Sequence, residues 1–170
     1  WEGIPDFSTS QSLKNLAASL LIFYGLGQIG CKKIIGSGTC AEYGINQGKL
    51  KETLVADPAA AAPQHNFQNN LGVYKNAVQT LGAQIAREYG IKFIWTRLFF
   101  VYGPGQREGT LIPFLIKNAR DGKVPTVNNP NGANDFVYVG DVAEALTLLV
   151  EKQNVTQGVY NIGSGHLTSV

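Results

Sequence analysis

Residues 71–98, LGVYKNAVQTLGAQIAREYGIKFIWTRL, change their apolar period once, and that change decides the fold class. Leu71, Tyr74, Val78, Leu81 and Ile85 recur at spacings of three and four, which puts them on one face of a long helix. Gly90 closes that helix, because a glycine can take the left-handed conformation a C-terminus favours. Lys92–Leu98 (KFIWTRL) then reads as a strand. The same alternation continues in both directions. Upstream, Asp6, Ser8 and Ser10 offer N-caps to a helix carrying Leu13, Leu16, Ala17, Leu20 and Tyr24 on one face. Gly25, Gly27 and Gly30 punctuate its end. KIIGSG (33–38) reads as a short buried strand, and residues 52–70, with DPAAAAP inside, as a polar loop. Downstream, 111–120 reads as a helix, 124–127 as a strand and NNPNG (128–132) as a turn. A strand at 135–139, a helix at 142–150 and a strand at 159–162 complete the pattern. Strands alternating with helices of this length imply βαβ units and a mainly parallel α/β sheet. In such sheets the site lies beyond the carboxyl ends of the strands, which directs attention to the segments after Ile35 and Leu98.

Composition excludes several classes. The chain has 170 residues, 44% of them hydrophobic and 15% charged, as expected of one globular domain with a sizeable core. A formal charge of +2 and a longest basic run of Lys32-Lys33 argue against a nucleic-acid partner. Residues 16–26 are too short an apolar run to span a bilayer, so no membrane is expected. Two cysteines, Cys31 and Cys40, make no disulfide framework, and a reduced, cytoplasmic setting follows. No metal-ligating cluster stands out. The chain has no methionine, so Trp1 is read as lying within a longer protein.

Four stretches carry chemistry. GSGTCAEYG (36–44) follows a strand directly; its small residues would let backbone approach a flat ligand, and Thr39 offers a hydroxyl at the strand end. Alone it could equally be an ordinary Gly/Ser turn. LGVYKNA (71–77) places Lys75 beside an apolar stripe, where it could hold a ribose or simply snorkel at a core edge. Tyr74 lies on the stripe, as core packing alone would require. TRLFFVYGPG (96–105) turns sharply out of the sheet. NDFVYVGDVA (134–143) offers Asp141 as an N-cap for the helix after it.

In this order, and followed by YNIGSG (160–165), these motifs resemble the extended short-chain dehydrogenases, the NAD-dependent epimerase/dehydratase family that modifies nucleotide-linked sugars. The resemblance implies a Rossmann-like doubly wound parallel sheet. It implies that residues 1–103 are the later part of the dinucleotide-binding domain, and 104–170 a substrate-binding region interleaved with the end of the sheet. The glycine-rich GxxGxxG turn is not in this sequence; it would belong to an N-terminal βαβ unit upstream of Trp1, within roughly one hundred further residues of the nucleotide-binding domain.

What the resemblance implies for chemistry is an NAD(P)-dependent nucleotide-sugar epimerase or 4-ketoreductase, with a homodimer as its assembly. Thr39 falls at the family's Ser/Thr position and Lys75 at its lysine position, both catalytic, with NAD or NADP along Gly36, Ser37, Thr39, Lys75, Leu98 and Val101. The nucleotide sugar is expected against Phe100, Thr110, Leu111, Val127, Asn128 and Asn134. The chain also departs from the family. The general acid/base tyrosine, which stands four residues before the lysine, is Leu71, with Tyr74 as a displaced catalytic candidate. The substrate-contacting asparagine is Phe100. The diphosphate-binding arginine is Asn134, a loss for which Arg107 could compensate. Cys40-Ala41 stand where the dehydratases carry Asp-Glu, which argues against dehydration. These departures leave a second reading open: a catalytically degenerate member that binds cofactor or nucleotide as a structural or regulatory protein.

Overall fold

The computed structural model describes residues 8–44, 48–54 and 66–169. In chain order the elements are α1 (Thr9–Gln28), β1 (Lys33–Thr39), a single 3-10 turn (Cys40–Tyr43), α2 (Asn66–Glu88), β2 (Lys92–Leu98) and β3 (Phe100–Tyr102). Then come α3 (Leu111–Arg120), β4 (Ala133–Asn134), β5 (Phe136–Tyr138), α4 (Val139–Glu151), β6 (Gly158–Ile162) and β7 (Thr168–Ser169). The chain divides into two compact units, residues 1–98 with 149–161, and residues 99–148 with 162–170.

The first unit is built on a sheet of order β1-β2-β6, with β1 and β2 parallel and Gly38 opposite Arg97. Its core joins Ile34 of β1, Phe93 and Trp95 of β2, and Val78 and Ala86 of α2. Alternation along β2 sends Phe93, Trp95 and Arg97 to one face, and the rings of Phe93 and Trp95 stack at 6.0 Å. Each such buried apolar side chain contributes roughly 1.5–3 kcal/mol. Helix α2 ends as the sequence predicts. Gly90 has φ +66°, its N–H reaches Arg87 O, and the Ile91 N–H reaches Ala86 O, the paired bonds of a Schellman stop.

Several expectations are corrected. Ser8 caps α1, accepting from the Gln11 N–H, while Ser10 lies inside the helix; Asp6 falls outside the described residues. On α1 the stripe that faces inward is Leu16, Leu20, Phe23, Leu26 and Gly27, and Leu13 and Tyr24 stand 59% and 51% exposed. Gly25 and Gly27 do not end the helix. A Cβ at Gly27 would meet the Tyr89 ring at 2.6 Å, so that glycine lets α1 lie close to Tyr89; Gly30, at φ +75°, is the terminator. Helix α2 takes in Asn66 to Asn70, the end of the expected loop, and its Leu81 is exposed, with Gly82 turned inward under Phe23 in its place.

The second unit pairs β3 with β5 in parallel and β4 with β7 antiparallel. Residues 124–127 form no strand: nothing pairs with them, and Val124 is 94% exposed. Strand β5 is shorter than expected because Val139 already begins α4. Asp141 therefore sits in the first turn of that helix rather than at its cap, where its charge still suits the helix N-terminus. Asp135, Val137, Val142 and Ile162 are buried in this unit. The Asp135 carboxylate accepts from the Ser164 N–H (2.7 Å), the Ser164 hydroxyl (2.7 Å) and the Gly165 N–H (2.9 Å). It ties the segment between β4 and β5 to the turn after β6.

Candidate functional site

Strand β1 delivers Thr39 to its carboxyl end. There the chain turns into the 3-10 helix through a capping box: the Thr39 hydroxyl accepts from the Ala41 N–H at 3.3 Å, and the Thr39 N–H donates to Glu42 Oε1 at 2.9 Å. A hydroxyl so used keeps its own O–H as a donor. Helix α2 packs against β1 and brings Lys75 to the same strand end, where its ammonium donates to the Ser37 carbonyl at 2.6 Å. Burial holds the Lys75 pKa below the ordinary lysine value of 10.5, and the negative charge of Glu42 offsets part of that effect. One of the three ammonium donors is engaged at Ser37, so a partly desolvated cation with further donors sits on the carbonyl of a residue two positions before Thr39. That donor set suits the hydroxyls of a ribose.

Lys75 is therefore held against Ser37 within the first unit, on the strand that also carries Gly36 and Thr39. Leu98, the residue opposite Thr39 across the β1–β2 pairing, ends its strand beside them. Leu71 lies half-buried on α2, one turn before Lys75. Tyr74 goes elsewhere. Its hydroxyl lies 3.3 Å from the Ser19 hydroxyl of α1, and its ring joins the core, 5.7 Å below the Lys75 ammonium. Gly36 and Gly38 also serve a purpose other than ligand approach. A Cβ at Gly36 would stand 2.4 Å from Trp95, and one at Gly38 would stand 2.2 Å from Glu42 and 2.3 Å from the Trp95 indole nitrogen. Their smallness admits Trp95 and Glu42 to the core.

In the second unit, Val101 and Phe100 lie on β3 opposite Val137 and Phe136, and the Phe100 and Phe136 rings are 6.0 Å apart. Thr110 precedes Leu111 at the start of α3, and its hydroxyl donates to Arg107 O at 2.7 Å rather than capping the helix. Val127 is half-buried and Asn128 exposed, both in irregular chain; Asn134 pairs with Thr168. Among the described residues, no cluster of His, Cys, Asp or Glu could hold a metal ion, and no helix is long and apolar enough to cross a membrane.

One cluster was not anticipated. Glu42 is 0% exposed, and its carboxylate takes the Trp95 indole N–H at 3.0 Å to both oxygens and the Arg97 Nε–H at 2.9 Å. Arg97, 3% exposed, also donates through Nη2 to Gln79 and lies 4.3 Å over the Tyr43 ring, whose hydroxyl donates to Asn161. Two signals for it stand in the sequence. Thr39-Cys40-Ala41-Glu42 has the T-x-x-E spacing of a capping box, and an arginine inside an apolar strand requires an anion.

A family model described as the NAD dependent epimerase/dehydratase family matches residues 8–163, and the chain belongs to that family. It is 29% identical over 157 residues to dTDP-4-dehydro-6-deoxyglucose reductase of Escherichia coli, covering 90% of this chain and 47% of the relative. Among solved structures it resembles UDP-N-acetylglucosamine 4-epimerase from Methanobrevibacter ruminantium M1, in complex with UDP-N-acetylmuramic acid (TM-score 0.78, 26% identity, 92% of this chain and 49% of that one). It resembles MoeE5 in complex with UDP-glucose and NAD at a TM-score of 0.77 and 28% identity, covering 92% of this chain and 50% of that one. The chain thus spans about half the length of the relatives it matches. The fold is the Rossmann-like α/β arrangement with a parallel sheet that the sequence predicts.

Proposed function

We propose that this chain is the later part of an NAD(P)-dependent nucleotide-sugar epimerase or 4-ketoreductase. The observation that carries the reading is the Lys75 ammonium on the Ser37 carbonyl, two residues before the Thr39 hydroxyl, at the carboxyl end of β1. A bound nicotinamide supplies hydride transfer to or from a sugar carbon. Lys75 holds ribose hydroxyls through its remaining donors, and its charge favours deprotonation of an acid beside it. Thr39 donates or accepts at the reacting sugar hydroxyl. Gly36, Ser37, Leu98 and Val101 supply backbone to the cofactor. Phe100, Thr110, Leu111, Val127, Asn128 and Asn134 contact the nucleotide sugar, with Arg107 available to its diphosphate. A chain with only two cysteines suits a reduced, cytoplasmic setting, and the exposed Leu21 and Ile22 of α1 suit a homodimer.

The test is a titration of NAD+ into the full-length protein that carries this chain. Lys75→Ala should weaken binding by roughly 1.5–3 kcal/mol, the value of a charged hydrogen bond. Unchanged affinity would remove Lys75 from the site.

A second reading rests on Leu71. Leucine cannot carry a proton, and Tyr74, the nearest phenol on α2, has its hydroxyl at Ser19. A protein that binds cofactor or nucleotide without turnover, acting as a structural or regulatory partner, accounts for that substitution. Measurable interconversion of a nucleotide sugar by the full chain, with cofactor present, would exclude it.

A further inference from the structure

Among the described residues of the first unit Glu42 is a fully enclosed charge, 0% exposed, and the reading of the site above gives it no part. We propose that Glu42 is a positioning residue for Thr39: its carboxylate, gripped by Trp95 and Arg97 of β2, holds the Thr39 N–H and so fixes where the Thr39 hydroxyl stands at the end of β1. The inference rests on the reading of Thr39 and Lys75 as the reacting site.

The geometry argues for a role beyond packing. Trp95 donates to both carboxylate oxygens and Arg97 to Oε2, so the carboxylate has neither rotational freedom nor solvent. Oε1 is thereby aimed at the Thr39 N–H, 2.9 Å away. The capping box closes the other way through the Thr39 hydroxyl and the Ala41 N–H, so backbone and side chain of Thr39 are set together. An apolar pair of similar volume could hold the fold as well as a buried ion pair does. It could not accept the Thr39 N–H. Nor could it supply the negative charge that supports the Lys75 ammonium against burial. One carboxylate in the 3-10 turn, held by two side chains of a rigid strand, therefore governs both polar groups of the proposed site.

The test compares the full chain with a variant carrying Glu42→Leu and Arg97→Met, which keeps the packing and removes the acceptor. The variant should fold, as judged by near-ultraviolet circular dichroism. Its Thr39 amide should exchange with solvent roughly tenfold faster or more, and NMR titration should put its Lys75 ammonium below that of the parent. With NAD+ and UDP-glucose as probes, kcat should fall roughly ten- to a hundredfold, the cost of a misplaced reacting group, with KM little changed. A folded variant whose Thr39 exchange and Lys75 titration match the parent overturns the proposal. Should the double variant not fold, Glu42→Asp carries the test: it keeps a charge beside Arg97 but shortens the reach to the Thr39 N–H, so the Thr39 amide should exchange faster than in the parent, and unchanged exchange overturns the proposal. A parent that binds neither probe defeats the enzymatic reading, while the exchange and titration measurements still judge Glu42.

Discussion

Arg97 Nε lies 2.9 Å from Glu42 Oε2, and the two side chains are 3% and 0% exposed. Both charges have left water, so each needs the other. Removing one leaves the partner buried and uncompensated, which costs about 3–5 kcal/mol. Glu42→Leu or Arg97→Met alone should therefore lower stability by that order in urea unfolding. Glu42→Leu together with Arg97→Met should cost less than the two single losses added, because no buried charge is left unpaired, although the Trp95 indole and Thr39 N–H lose their acceptor. Two single losses that simply add in the double variant would show that the residues do not act as a pair.

The glycines of this chain divide into those that make room and those that do not. Gly36→Ala places a Cβ 2.4 Å from the Trp95 ring and should destabilise by roughly 1–3 kcal/mol through overpacking. Gly25→Ala, in the interior of α1 with nothing within 4 Å, should instead stabilise by about 0.5–1 kcal/mol. Thermal unfolding of the two variants should move in opposite directions.

Lys75 predicts a pH dependence. Its folded pKa is lowered, by burial foremost, from an unfolded value of 10.5, so between the two the unfolded chain binds more protons. Stability arising from this group should rise as pH climbs through that window. Lys75→Met should be the more stable protein at neutral pH, since water can take over the exposed Ser37 carbonyl, and its advantage should shrink as pH approaches 10.5. Urea midpoints measured across that range check it; an advantage that grows with pH would reverse the sign of the argument.

Leu71→Tyr would put a phenol one turn before Lys75 on the same side of α2. A general acid/base supplies about a hundred- to ten-thousand-fold in rate. In a full chain that binds cofactor, this change should raise nucleotide-sugar oxidation or reduction, followed at the nicotinamide absorbance. Tyr74→Phe should leave the rate unchanged and cost only the contact with Ser19, about 0.5–1.5 kcal/mol. A large loss of activity in Tyr74→Phe would show that Tyr74 takes part after all.

The sequence made the alternation legible because period and punctuation agree: Leu71 to Ile85, then Gly90, then KFIWTRL is helix, stop and strand in the structure as in the pattern. It misjudged faces and ends where a neighbour decides them. Leu81 fits the helical stripe, but Gly82 is what Phe23 leaves room for. Residues 124–127 carry two valines, but no partner strand meets them. Thr39 and Lys75 could be found by spacing, since both lie near one strand end. Glu42 and Arg97 lie 55 residues apart, and only the β1–β2 register, which sets Gly38 beside Arg97, brings them together. Tyr74 shows the same limit: sequence places it next to Lys75, and helix geometry turns its hydroxyl to Ser19.

The grip of Asp135 on Ser164 and Gly165 bears on inheritance. A Cβ at position 163 would stand 2.7 Å from Asp135 Oδ2, so the carboxylate and the small residues of the Gly163-Ser164-Gly165 turn occupy one space. Neither stretch can drift alone. A lineage that replaces Asp135 leaves the Ser164 and Gly165 amides without their acceptor, and one that enlarges Gly163 displaces the carboxylate. Across descendants of this chain, the two positions should change together or not at all, although 29 residues separate Asp135 from Ser164 in the sequence.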